Sequence, residues 1–143
     1  MSGLVFVDTN VLLYAVHESD RKKQESARLW RERLWETHRG RLSFQVLQEF
    51  YSNVHRKWPK AKAAARQEIK DLLRWQPVST NGALLQSAWQ LQDRFGFSFW
   101  DSLIVAAAKT SLCGFLLSED FQTGLSIDGL LIVNPFATNP DQI

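Results

Sequence analysis

At 143 residues and 16.5 kDa, with 45% hydrophobic and 22% charged residues, the chain has the size and composition of one globular domain, which excludes a disordered or fibrous protein. The lone cysteine, Cys113, excludes an intrachain disulfide and a cysteine-rich zinc site, and no apolar run reaches the roughly eighteen residues of a membrane span. The net charge of +2 conceals an asymmetry: residues 21–74 hold fifteen Lys and Arg against six acids, and the rest holds two against nine, as expected of a protein that keeps a polyanion near an acidic site or merely has basic helix surfaces.

Leu4-Val5-Phe6-Val7 is a short continuous apolar run, the pattern of a strand buried on both faces. Asp8-Thr9-Asn10 ends it with three helix-capping types, and a short helix over 11–16 follows. That interruption, with no basic segment ahead of it, argues against a secretion signal and for a cytoplasmic protein. Residues 21–37 read as an amphipathic helix with Ala27, Trp30 and Leu34 on one face, and Gly40 follows it. Ser43 caps a helix over 45–57 that places Leu47, Phe50, Tyr51 and Val54 at core spacing, and Pro59 separates it from a helix over 60–74. Val78 lies in a brief extended piece, and a helix over 84–95 stops at Gly96.

The helix over 101–109 differs in kind, because Leu103 to Ala108 is apolar all round and must be buried. Strands over 115–117 and 130–133 complete the pattern, the second after an Asp128-Gly129 turn. Short apolar strands separated by helices indicate an α/β fold, a short central parallel sheet flanked by helices on both faces. One domain spans 1–136, and 137–143 reads as a loose C-terminal tail.

Two strands deliver an aspartate within three positions of their ends, Asp8 and Asp120. Ligands of parallel sheets lie beyond the carboxyl ends of the strands, although an aspartate there can also simply cap the next helix or turn. Asp101 fits a capping box with Ser98, yet it also opens the most apolar helix and needs compensation there. Glu49 shares a face with Val46 and Asn53, away from the core stripe, and by pattern alone points to solvent. The histidines His17, His38 and His55 form no zinc-binding pair, and no nucleophile elbow, dinucleotide or phosphate loop occurs. Cys113 reads as a core thiol, and Trp30 and Trp100 as packing residues.

Taken together these residues resemble the PIN domain family, and within it the single-domain VapC-type toxins of toxin–antitoxin pairs. Asp8-Thr9-Asn10 resembles the first motif, Glu49 the glutamate of a central helix, Phe99-Trp100-Asp101-Ser102 the aromatic-then-aspartate motif, and Ser118-Glu119-Asp120 the closing hydroxyl-x-aspartate. Ser102 stands where the family most often has alanine, and Glu119 is the alternative fourth acid. The resemblance implies a metal-dependent endoribonuclease. Asp8, Asp101 and Asp120 would be ligands of Mg²⁺ or Mn²⁺, Glu49 would act through a water, and Thr9, Asn10 and Ser118 would orient the carboxylates. It further implies a homodimer silenced by an antitoxin. Elementary chemistry agrees, since clustered carboxylates repel unless neutralised and an all-oxygen donor set suits a hard cation.

Lys62, Arg66, Lys70 and Arg74 recur every four residues and form a basic stripe for RNA or a partner, or else a solvated face paired with Glu68 and Asp71. A dehalogenase-like phosphotransferase would need an acid at Asn10, and a receiver domain a lysine after the last strand, where Asn134-Pro135 stands. The remaining alternative is a non-catalytic RNA- or protein-binding module on the same fold.

Overall fold

The three apolar runs become the three central strands of a five-stranded sheet in the computed structural model, which describes residues 3–143. In chain order the strands are β1 (Val5–Val7), β2 (Gly40–Arg41), β3 (Phe115–Leu117), β4 (Ser126–Ile127) and β5 (Leu130–Val133). Six helices accompany them: α1 (Thr9–Val16), α2 (Arg21–Thr37), α3 (Phe44–Lys57), α4 (Lys62–Leu72), α5 (Gly82–Phe95) and α6 (Phe99–Thr110). The spatial order is β2-β1-β3-β5-β4, parallel except for the β4–β5 pair. All three residues of β1 are buried, so both faces of the sheet are covered, as its unbroken apolar run requires.

Two edge strands leave no signal in the sequence. Each is two residues long and lacks an apolar run, and only pairing to a neighbour defines it: Val5 opposite Gly40, and Ile127 opposite Leu130. Gly40 at the β2 edge has a packing reason, because a Cβ there would stand 2.6 Å from the Trp75 ring. The expected helix over 60–74 is three pieces, a 3₁₀ turn at Pro59–Ala61, then α4, then a 3₁₀ turn at Leu73–Trp75. Gln76, left-handed at φ 55°, ends it. The brief extended piece expected at Val78 forms a bridge to Ser43.

The end of the chain differs from the loose tail expected over 137–143. Trp30 on α2 donates its Nε1–H to Pro135 O and Thr138 O at 3.0 and 3.1 Å. Asn139 and Gln142 form a capping box on a 3₁₀ turn, Pro140–Gln142, while Arg33 holds Asp141. A buried indole needs an acceptor, and this segment supplies it. Sequence pattern registers apolar periodicity and misses such polar docking.

Trp100 also departs from expectation. The helix it opens is buried from Ser102 to Ala108, but Trp100 itself is 62% exposed. Cys113 is buried, and burial pushes its thiol up to about 12, as an inert core residue requires. No described helix is long and apolar enough to cross a membrane.

Candidate active site

Strand order reverses between β1 and β3: from β1 the chain passes to β2 on one side and later to β3 on the other. Open α/β sheets bind ligands at the carboxyl edge beside such a switch point. Asp8 follows β1 and caps α1, and its backbone N–H donates to Leu117 O at the end of β3 at 3.1 Å. The two central strands therefore end side by side, bringing Asp8 against the Ser118-Glu119-Asp120 turn.

A dense network joins the two ends. Ser118 Oγ donates to Asp8 Oδ2 at 2.8 Å and accepts from the Asp120 backbone N–H at 3.0 Å. Asn10 Nδ2 donates to Asp120 Oδ2 at 3.0 Å, with longer contacts to Ser118 Oγ at 3.2 Å and Asp8 Oδ2 at 3.4 Å. One amide nitrogen thus touches two carboxylates. Asn10 Oδ1, in contrast, is buried without a partner. Thr9 spans the other side, its N–H donating to Asp8 Oδ1 at 2.7 Å and its hydroxyl to Glu49 Oε2 at 2.9 Å.

Glu49 therefore does not face open solvent as its helical pattern indicates. Val46, Phe50 and Val54 make one buried stripe at four-residue spacing, and Glu49 lies half-buried at its edge. Gln45, one turn earlier, donates from Nε2 to Glu49 Oε1 at 2.9 Å and to Trp100 O at 3.2 Å. Gln45 is a site residue that sequence reasoning misses, and its only signal is the four-residue spacing to Glu49. Its second bond ties α3 to the first turn of α6, next to Asp101.

Ser98 caps α6, accepting from the Asp101 N–H at 3.1 Å, while the Asp101 carboxylate returns no bond to the Ser98 amide. Only half of the expected capping box forms. Ser102 is wholly buried and bonds back to Ser98 O at 2.9 Å, which satisfies its hydroxyl inside the apolar helix.

The electrostatics link all four acids. Asp8 is 5% exposed, and burial pushes its carboxyl up to about 7; Asp120 and Glu49 add to the rise, which the bonds from Ser118 and Thr9 restrain. Asp101 is also raised, by burial first and then by Asp120 and Glu49. Glu119 is drawn elsewhere: Lys23 on α2 binds its Oε2 at 2.9 Å and lies over the Tyr14 and Phe136 rings.

The donor set around the pocket is carboxylate, hydroxyl and amide oxygen, which fits a hard divalent cation and not zinc. The raised Asp8 agrees, since a cation would relieve the repulsion that adds to its shift. Among the described residues no three His, Cys, Asp or Glu stand close enough together to hold a metal ion.

The basic stripe lies outside this pocket. Its acids are engaged elsewhere, Glu68 by Arg31 at 2.6 and 3.0 Å and Asp71 by Gln67 at 3.1 Å. Arg66 donates to the Tyr51 hydroxyl at 3.0 Å.

Comparison with known proteins gives a family match, to the PIN domain, over residues 5–122. Several solved structures are similar in fold. One, a toxin–antitoxin complex from Klebsiella pneumoniae, is 14% identical with a TM-score of 0.63, covering 92% of this chain and 97% of that one. The Mycobacterium tuberculosis toxin VapC20, described as cleaving the sarcin–ricin loop, is 22% identical with a TM-score of 0.57 over 81% of this chain and 91% of its own. A DNA-bound VapBC complex from Salmonella typhimurium is 16% identical with a TM-score of 0.63, covering 92% and 97%. No curated protein matches the sequence significantly.

Proposed function

The chain belongs to the PIN domain family, and from that premise we propose that it is an endoribonuclease dependent on Mg²⁺ or Mn²⁺, the toxin of a toxin–antitoxin pair. The observation that bears most weight is the Asp8–Ser118–Asn10–Asp120 network at the switch point, with Glu49 joined through Thr9. Asp8, Asp101 and Asp120 would hold the cation directly and Glu49 through a water; when bound, it supplies positive charge to the scissile phosphate and acidifies a water nucleophile.

The remaining work falls to this chain's own side chains. Thr9, Asn10 and Ser118 fix the carboxylate rotamers by the bonds described above. Glu49, held by Thr9 and Gln45, keeps a carboxylate aimed at the pocket, where it accepts a proton from the attacking water. The basic surface of residues 21–74 draws the polyanion toward an acidic centre that would otherwise repel it. An antitoxin partner, a homodimer and a cytoplasmic location complete the proposal; the solved toxin–antitoxin complexes of the same fold support the first.

The decisive experiment incubates purified protein with single-stranded RNA. Cleavage is expected with Mn²⁺, absent in EDTA, and lost in Asp8→Asn. Binding of RNA without cleavage of several sequences would favour the non-catalytic module instead.

A further inference from the structure

Beside Asn10 and the acids it bonds lies a cavity of about 300 Å³, walled by Asn10, Leu13, Tyr14, Lys57, Trp58 and Glu119. We infer that it receives one unpaired nucleobase of the RNA, next to the phosphodiester that is cut. The inference rests on the ribonuclease reading and adds to it a residue set that selects or positions the substrate.

Position argues first. Asn10 lines this cavity and also bonds Asp8 and Asp120, so the cavity and the carboxylates share a residue. A nucleotide whose phosphate sits at the acids has its neighbouring base within reach of such a cavity.

The walls argue second. Leu13, Tyr14 and Trp58 are each only half-buried, which leaves apolar and aromatic surface open at the cavity. Both rings are packed on other side chains, and the Lys23 ammonium also lies over Tyr14 at 5.0 Å. Trp58 stacks on His17 with centroids 3.8 Å apart and planes 9° from parallel, and Tyr14 meets Phe136 edge-on at 5.1 Å. Rigid aromatic walls lose little entropy when a flat ring packs on them. A base gains from such a wall whatever its identity, because every base has a π-face.

The rim argues third. Lys57 lies 6.0 Å from the Trp58 ring centre and presents an ammonium, and Glu119 presents a carboxylate anchored by Lys23. A donor and an acceptor at one mouth suit the mixed edge of a nucleobase better than an aliphatic or purely anionic ligand. Trp58 and Tyr14 are thus positioning residues, acting on the base rather than on the reacting phosphate.

The test uses the full-length Asp8→Asn variant in EDTA, so that RNA binds without being cut. Anisotropy of a fluorescent single-stranded RNA is measured while an abasic site is moved through the sequence, with the cut mapped separately by wild-type protein and Mn²⁺. One position beside the cut should lose roughly 5- to 150-fold in affinity when abasic. Adding Trp58→Leu should cost a similar factor on intact RNA and nothing further on that abasic RNA, whereas Trp58→Phe should keep most of the affinity. Circular dichroism checks folding, and Tyr14→Leu replaces Trp58→Leu if the latter fails to fold. Uniform affinity across the abasic series, or unchanged RNA affinity in both leucine variants, overturns the inference. So does a loss confined to antitoxin binding, which would make the cavity a protein-docking site. Cleavage with a flat abasic series rejects the base cavity alone; an abasic-sensitive position without wild-type cleavage rejects the ribonuclease reading alone.

Discussion

Asp8 holds a proton it would lose in water, and the consequence can be measured. Its carboxyl is pushed up to about 7, whereas an unfolded aspartate titrates at about 4. Between those limits the folded chain binds a proton that the unfolded chain has released, so stability falls as pH rises from about 4 to about 7. The full shift corresponds to about 4 kcal/mol. In EDTA, Asp8→Asn should therefore melt above wild type at pH 8 and level with it at pH 4; a variant melting below wild type at pH 8 would contradict the burial argument. Added Mg²⁺ or Mn²⁺ must displace that proton, so the wild-type rise in melting temperature should grow up to about pH 7 and then level off. Neighbouring residues differ between the two candidates for the fourth acid. Because Lys23 holds Glu119 while Asn10 holds Asp120, Glu119→Gln should keep most of the kcat and Asp120→Asn should lose at least about tenfold. Equal losses in both would place Glu119 in the reaction. The sequence leaves these two acids as alternatives, since only the side-chain partners separate them.

At the scale of elements, α3 and α4 show where periodicity succeeds and where it stops. The stripe Leu47, Phe50 and Val54 is buried as its spacing requires and Val46 widens it, while Glu49 at its edge is half-buried and bonded by Thr9 of α1. The pattern of one helix cannot report a second neighbour, and for that reason it assigns Glu49 to solvent. On α4 a solvated face would pair the basic stripe with Glu68 and Asp71; Glu68 is held by Arg31, whereas Asp71 accepts only from the neutral Gln67 amide and keeps its charge. Lys62, Arg66, Lys70 and the following Arg74 are the expected contacts for RNA or a partner, with a solvated face as the alternative. If they meet phosphates, Lys62→Ala with Arg66→Ala should flatten the log–log salt dependence of RNA affinity by about one for each phosphate no longer neutralised. An unchanged slope would make the stripe a solvated face.

The whole molecule exposes more large apolar surface than its own fold uses: Phe44, Trp89 at 53% and Trp100 at 62%, on α3, α5 and α6. Such side chains are the first to test as partner contacts. The proposed homodimer would cover them, so sedimentation should give a mass near twice 16.5 kDa for wild type, falling to one chain for Trp89→Glu with Trp100→Glu. A wild-type monomer at micromolar concentration would leave the antitoxin as their cover. Sequence alone determined the elements with strong local signals: the three apolar strands, the buried α6, the caps at Asp8 and Ser98, and the acids Asp8, Asp101 and Asp120 at the starts or ends of elements. Those signals are legible because burial and capping act within a few residues of chain. Tertiary structure decided the rest: the edge strands β2 and β4, the docking of Pro140–Gln142 on α2, the place of Gln45 and Glu49, and the different partners of Glu119 and Asp120. Each depends on a partner far along the chain, such as Thr9 for Glu49 or Asn10 for Asp120, and a hydrogen bond across forty or a hundred residues leaves no periodic trace in the sequence.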